Sequence, residues 1–231
     1  MVKVKFVIFD FAGTLATLNP SRELILHSLL RKLGLEGISI AEIRKAYDVV
    51  DSSMFFSSVT ERGDKNYRQD FYGRYNQAVL NRLQISNRVK LTDVAEAFQL
   101  VESHWVLVDD AFSCLNILEA ANIGVGILSN FGPELPDLVS ELIGDKIRFA
   151  PIVVSSSVGL EKPDLAFFNH FLSKIPFCAE ECAFIGDSFY LDYVPGNKIG
   201  FQTYLVNREL NTDCTPETHS SLIDIVKIIT N

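Results

Sequence analysis

No apolar run in the 231 residues approaches the ~20 needed to span a bilayer, which argues against a membrane-embedded function. A secretory signal is also missing. Met1-Val-Lys-Val-Lys opens a short apolar run, but Asp10 interrupts it and no small-residue cleavage site follows. The expected location is the cytoplasm. Cysteine is scarce: Cys114, Cys178, Cys182 and Cys214 are the only four, and only Cys178 and Cys182 lie close together. One Cys-x3-Cys pair without a second pair is a poor match to a four-ligand zinc site, so reduced thiols are expected. A chain of this length buries roughly 70% of its unfolded surface, and at 48% hydrophobic residues it needs no disulfides to fold. Positive charge is short as well. The net charge is −8, which argues against a nucleic-acid partner, since such a domain carries a basic face. His27, His104, His170 and His219 share no spacing and read as structural. There is no internal repeat and no low-complexity segment.

What remains is a pattern of strands and helices. Val4–Phe9 is a short apolar, β-rich run that ends on Asp10 and is followed by a Gly-Thr turn. Residues 21–34 show helical spacing closed by Gly34. Between about 40 and 105 strand character is low, and Ile40–Val50, Tyr67–Leu83 and Leu91–Trp105 all carry helix-like spacing. After Ala111 the pattern alternates. Strands are expected at Gly124–Leu128, Ile152–Ser155, Cys182–Ile185 and Gln202–Val206. Helices are expected at Ala111–Ala121, Leu135–Ile143, Leu165–Leu172, Tyr190–Ile199 and Ser221–Ile229. Such alternation implies βαβ units and a parallel sheet. The expected fold is a Rossmann-like α/β core, residues 1–16 and 107–231, with a helical cap domain, 17–106, inserted after the first strand. Charge follows this division. Residues 17–106 carry 12 basic and 11 acidic side chains, and the remainder carries 9 against 18.

In open α/β sheets ligands bind beyond the carboxyl ends of the strands, so residues just past each strand should converge. They are Asp10, Ala12, Gly13 and Thr14; then Ser129 and Asn130; then Lys162-Pro163; then Gly186, Asp187, Ser188 and Asp192. Carboxylates, hydroxyls and one ammonium suit phosphoryl transfer. A carboxylate nucleophile splits one hard displacement into two easier ones through an acyl phosphate. A magnesium ion held by Asp10 and Asp187 offsets the repulsion between carboxylate and phosphate. Lys162, with Thr14 or Ser129, stabilises charge on the transferring group. Each residue also has a plainer reading. Asp187 suits a helix cap, Asp192 a solvated helix acid, Lys162 a surface lysine, and Ser129-Asn130 a turn. Asp10 is harder to explain that way, because an acid closing a buried apolar strand is costly without a role.

The four segments together resemble the haloacid dehalogenase superfamily. Val7-Ile-Phe-Asp10-Phe-Ala-Gly-Thr14-Leu resembles its first motif and Leu128-Ser129-Asn130 its second. Val158-Gly-Leu-Glu-Lys162-Pro163-Asp164 resembles its third, and Phe184-Ile-Gly-Asp187-Ser188 with Asp192 its fourth. Gly196–Gly200 and Val206-Asn207-Arg208 are similar to the usual continuation, and Phe71–Ile85 resembles a helix of the family's helical cap. The resemblance implies that Asp10 is the nucleophile and a magnesium ligand. It implies that the Ala12 main-chain carbonyl and Asp187 are further ligands, with Asp192 in support. Phe11, Ala12, Ser129, Asn130 and Lys162 would bind a small, anionic substrate, and Thr14, Ser129 and Lys162 would assist the reaction.

Ala12 departs from the pattern. Phosphatases of the family usually carry there an Asp that protonates the leaving alkoxide, and general acid help of this kind is worth ~10²–10⁴-fold. Four readings follow: a phosphatase for good leaving groups or with an acid lent by the cap; a phosphonate hydrolase using a cap lysine among Lys32, Lys45 and Lys65; a metal-free dehalogenase; and a catalytically weakened binding or regulatory module. The charged stretch Arg62–Arg68 suits either an anionic substrate tail or a solvated loop.

Overall fold

The structure is a computed structural model that describes residues 2–51, 53, 65–208 and 217–231, with the side chains of 65–69 and 145 outside the description. The chain begins β1 (Phe6–Phe9), β2 (Ala16–Asn19), α1 (Arg22–Lys32), α2 (Ile40–Asp51), α3 (Lys65–Arg82), α4 (Leu91–Leu100) and β3 (His104–Leu107). It continues α5 (Ala111–Ala120), β4 (Gly124–Ser129), α6 (Leu135–Ile143), β5 (Ile152–Val154), α7 (Ser155–Val158) and α8 (Leu165–Leu172). It ends β6 (Cys182–Gly186), α9 (Val194–Ile199), β7 (Gln202–Val206), β8 (Thr218–His219) and α10 (Leu222–Thr230). Packing divides it into two units, Met1–Thr17 with Val106–Asn231, and Leu18–Trp105.

In the first unit six strands form one sheet in the order β5-β4-β1-β6-β7-β8, and its neighbouring strands pair in parallel. All four side chains of β1 are buried, as a central strand covered on both faces requires. Phe6 and Ile8 pack with Phe167, Phe168 and Phe171 of α8 and with Phe184 and Phe201. Val7 and Phe9 point to the other face by the two-residue period of a strand. Two glycines of β4 admit this aromatic layer. A Cβ at Gly126 would lie 2.6 Å from the Phe171 ring and 2.9 Å from the Pro151 carbonyl oxygen, and one at Gly124 would lie 2.6 Å from Phe6. The architecture is the Rossmann-like α/β fold.

The second unit is built on α1–α4 around its own core, which includes Leu26, Leu30, Ile43, Tyr47, Phe71, Tyr75, Val79 and Val94. Arg22 ties three of the helices at one end. Its guanidinium donates to Glu23 at 2.9 Å, to Asp51 at 2.7 Å and to the Tyr75 hydroxyl at 2.9 Å, and lies 4.4 Å from the Tyr47 ring centre. Burial opposes its charge, but Asp51, Tyr75 and Glu23 beside it together outweigh that and raise its pKa well above the ordinary value. No helix among the described residues is long and apolar enough to cross a membrane.

Two expectations need correction. The helix expected over Leu91–Trp105 stops at Leu100, and His104–Leu107 is a strand paired with β2. The apolar spacing there included Leu100, which is 84% exposed and buries nothing, while His-Trp-Val-Leu is the aromatic and β-branched composition that favours a strand. The helix expected over Tyr190–Ile199 is a π-type turn, Phe189–Tyr193, running into α9. Tyr193 N–H reaches back five residues to Ser188 at 3.1 Å, and Pro195, lacking an N–H, cannot extend an ordinary turn at that point. Strands β2 (Ala-Thr-Leu-Asn) and β8 (Thr-His) escaped notice because neither is a run of apolar β-branched or aromatic residues like those that marked β1 and β5.

Replacing Phe171 by Ala should empty the space above Gly126 and cost about 3–5 kcal/mol. The check is the urea midpoint of the first unit, and an unchanged midpoint would contradict the packing described.

Candidate active site

Strand register assembles the site. Phe9 lies opposite Ile127 of β4 and Ile185 of β6, so Asp10 comes level with Leu128 and Gly186, and Ser129 and Asp187 follow one residue later at the same edge of the sheet. Asp10 N–H still donates to the Ile185 carbonyl at 2.9 Å, which carries the ladder one residue past β1. The chain then folds back tightly. The Phe11 carbonyl accepts from the N–H groups of Thr14, Leu15 and Ala16 at 3.3, 2.9 and 3.0 Å, and Gly13 N–H donates to the Ala16 carbonyl at 2.8 Å. Gly13 has φ +83°, and a Cβ there would fall inside the Asp187 carboxylate. Only glycine meets both the left-handed backbone and the close approach.

Lys162 is the hub. It is 2% exposed, and its Nζ lies 2.9 Å from Asp10 Oδ1 and 2.5 Å from Asp192 Oδ1. Its backbone is held from β4: Lys162 N–H donates to Asn130 Oδ1 at 2.8 Å, and Asn130 Nδ2 donates to the Lys162 carbonyl at 2.9 Å. Ser129 Oγ donates to Asp10 Oδ1 at 2.8 Å. Serine and lysine thus hold the same oxygen of Asp10, and Oδ2 carries neither contact. Asp192 is fully buried, with its Oδ2 accepting from Ser188 N–H at 3.0 Å. A Cβ at Gly186 would overlap its side chain.

Asp10, Asp187 and Asp192 bring carboxylate oxygens within 4.8 Å of one another, with Asp187 the exposed member. Burial raises the Asp192 pKa to about 6, against the opposing pull of Lys162. Desolvation and then the charges of Asp10 and Asp192 push Asp187 well above the usual carboxylate range. Because Asp187 is exposed as a residue, the two like charges beside it are the firmer cause. Burial disfavours the Lys162 ammonium, but Asp10 and Asp192 outweigh it and its pKa is raised. One ammonium against three carboxylates leaves uncompensated negative charge, and an all-oxygen donor set suits a hard divalent cation. The residues therefore fit a magnesium ion.

The other expected residues fall as follows. The bonds pinning Ala12 against Ala16 use the carbonyls of Phe11 and Ala16, not that of Ala12. The Phe11 ring is fully buried edge-on to Phe131, at 5.4 Å between centres, so a role in substrate binding falls to its main chain. Thr14 is fully buried and its hydroxyl has no hydrogen-bond partner among the described residues, so it makes no hydrogen bond to Asp10. Lys32 and Lys45 are exposed. Arg62–Asp64 and the side chains of Lys65–Arg68 lie outside the described residues, as does Cys214. Sequence reasoning placed Arg208 in the Val206-Asn207-Arg208 segment but gave it no role; it donates to the carbonyls of Gly13 and Thr14. It stands just past β7, where the strand-end rule that found the other residues would have found it.

Comparison with known proteins adds a family. The model for haloacid dehalogenase-like hydrolases matches residues 4–200. The chain is 29% identical over 104 residues to the mouse haloacid dehalogenase-like hydrolase domain-containing protein 3, covering 44% of this chain and 40% of the mouse protein. It is 24% identical over 240 residues to phosphoserine phosphatase of Thermus thermophilus, covering 95% and 94%. Among solved structures, the HAD-hydrolase YfnB from Bacillus subtilis bound to magnesium superposes with a TM-score of 0.69 at 20% identity, covering 99% of this chain and all of that one. The last likeness shows the fold.

Lys162→Met should strand two buried carboxylates and cost about 3–5 kcal/mol. Adding Asp192→Asn should recover part of that loss. Urea unfolding of both variants checks the pair, and an additive loss would contradict the coupling.

Proposed function

The chain belongs to the haloacid dehalogenase-like hydrolase family, and from that premise we propose that it is a magnesium-dependent phosphatase acting on a small anionic phosphorylated metabolite. The observation that carries this reading is the meeting of Asp10, Ser129, Lys162, Asp187 and Asp192 at one sheet edge. Asp10, Asp187 and the Ala12 carbonyl would hold the magnesium, with Asp192 in support. When bound, the ion supplies positive charge that lets an anionic ester approach an anionic nucleophile. Asp10 attacks phosphorus, the bond to the leaving oxygen breaks with its electron pair, and an acyl phosphate forms on Asp10. Water then cleaves that acyl phosphate. Ser129, Lys162 and the main chain around Phe11 and Asn130 orient the phosphoryl group and offset its charge. The second unit would serve as the cap, excluding water and setting specificity.

Ala12 shapes the substrate range. Its methyl group neither gives nor takes a proton, and Lys162 is committed to two carboxylates. The departing oxygen then leaves best when it is a weak base, as in acyl and aryl phosphates. Two other chemistries fit less well. A Schiff-base lysine needs desolvation; of the three candidates Lys32 and Lys45 are exposed, and the side chain of Lys65 lies outside the described residues. A metal-free dehalogenase has no use for three crowded carboxylates.

Magnesium-dependent phosphate release from an aryl phosphate should vanish in Asp10→Asn and in excess chelator. Release by neither protein, with magnesium still bound, would favour a binding module. Ala12→Asp should raise turnover of alkyl phosphates by ~10²–10⁴-fold; no gain would remove the idea that Ala12 marks a missing acid.

A further inference from the structure

The loop that follows Asp10 is held from outside as well as from within. Its internal hydrogen bonds converge on the Phe11 and Ala16 carbonyls, which leaves the carbonyls of Gly13, Thr14 and Leu15 to partners elsewhere. Arg208 takes two of them. Its Nη1 donates to the Gly13 carbonyl at 3.2 Å and its Nη2 to the Thr14 carbonyl at 3.3 Å. Val108 N–H takes the third, Leu15, at 3.0 Å. Arg208 Nη2 also donates to Asp110 Oδ1 at 3.2 Å. The other oxygen of Asp110 accepts from the N–H groups of Leu222 and Ile223, at 2.6 and 3.4 Å, where α10 begins. A carboxylate at that place satisfies unpaired helix N–H groups and meets the positive end of the helix dipole.

We infer that Arg208 is a positioning residue for the nucleophile loop, anchored through Asp110 to the start of α10, gripping the Gly13 and Thr14 carbonyls and so holding Gly13 against Asp187. For catalysis this rests on the phosphatase reading above; for the loop itself it rests on geometry alone. Gly13 has φ +83° and its α-carbon abuts the Asp187 carboxylate. A glycine has wide rotational freedom, so a slip of the loop moves directly onto a carboxylate of the candidate metal group. The planar guanidinium reaches two successive carbonyls at once, a geometry the single ammonium of lysine does not reproduce. The hydrogen bonds of Arg208 go to Gly13, Thr14 and Asp110 and not to Ser129, Asn130 or Lys162, so its loss should act on metal affinity and on kcat while leaving KM unchanged.

The test uses full-length Arg208→Met and Arg208→Lys. Hydrogen exchange in the segment 10–17 should quicken in both. Magnesium affinity, by calorimetry, and kcat on an aryl phosphate should fall by ~10–100-fold, the usual effect of losing a group that orients metal ligands. Wild-type exchange in Arg208→Met would overturn the inference. So would a lowered unfolding midpoint with metal affinity and kcat per folded molecule unchanged, which would mark a purely structural residue. Full recovery in Arg208→Lys would assign the effect to charge and overturn the two-carbonyl hold. If the wild type releases no phosphate, the phosphatase reading fails, and exchange still decides the role of Arg208.

Discussion

A buried ammonium between two carboxylates is the constraint around which the first unit is arranged. Lys162 is almost inaccessible and Asp192 wholly so, and taking such charges out of water is expensive unless geometry compensates. Asn130 therefore fixes the lysine backbone, Ser129 fixes Asp10, Ser188 N–H fixes Asp192, and Gly186 gives Asp192 room. Each of these is a strand-end residue or one turn beyond. The charges balance only in part, and burial together with the neighbouring carboxylates raises the pKa values of Asp187 and Asp192.

The sheet supplies the precision this needs. A parallel register that pairs Phe9 with Ile127 and Ile185 delivers three chemically different residues to one edge. That register is kept by an aromatic layer under the sheet, which β4 accommodates by having no side chain at Gly124 or Gly126. Packing at one face and chemistry at one edge are thus set by the same few residues of β1, β4 and β6.

The strand ends were legible because buried parallel strands are short, apolar and followed by polar residues, and four such breaks stand out in this chain. Asp10, Ser129, Lys162, Asp187 and Asp192 were found in that way, and the structure brings them together. Residues whose role depends on reach were harder to see. The strand-end rule could have marked the place of Arg208, but its fork onto two carbonyls 194 and 195 positions away leaves no periodic trace. The buried hydroxyl of Thr14 could not be told from an engaged one. The strand at His104–Leu107 was hidden because Leu100 and Trp105 sustain a helical rhythm that the backbone does not follow.

Gly13 and Asp187 occupy one space, since the volume a side chain would fill at the first is taken by the carboxylate of the second. This ties together two positions 174 residues apart in the chain. A lineage that kept the fold and abandoned the chemistry would be released from both restraints together. Once the acid at 187 shrinks, position 13 can accept any residue tolerant of its backbone. Drift at the two positions should therefore be correlated, since a side chain at position 13 needs a smaller residue at 187. In this chain both remain, although Ala12 between them and the nucleophile has no acidic group.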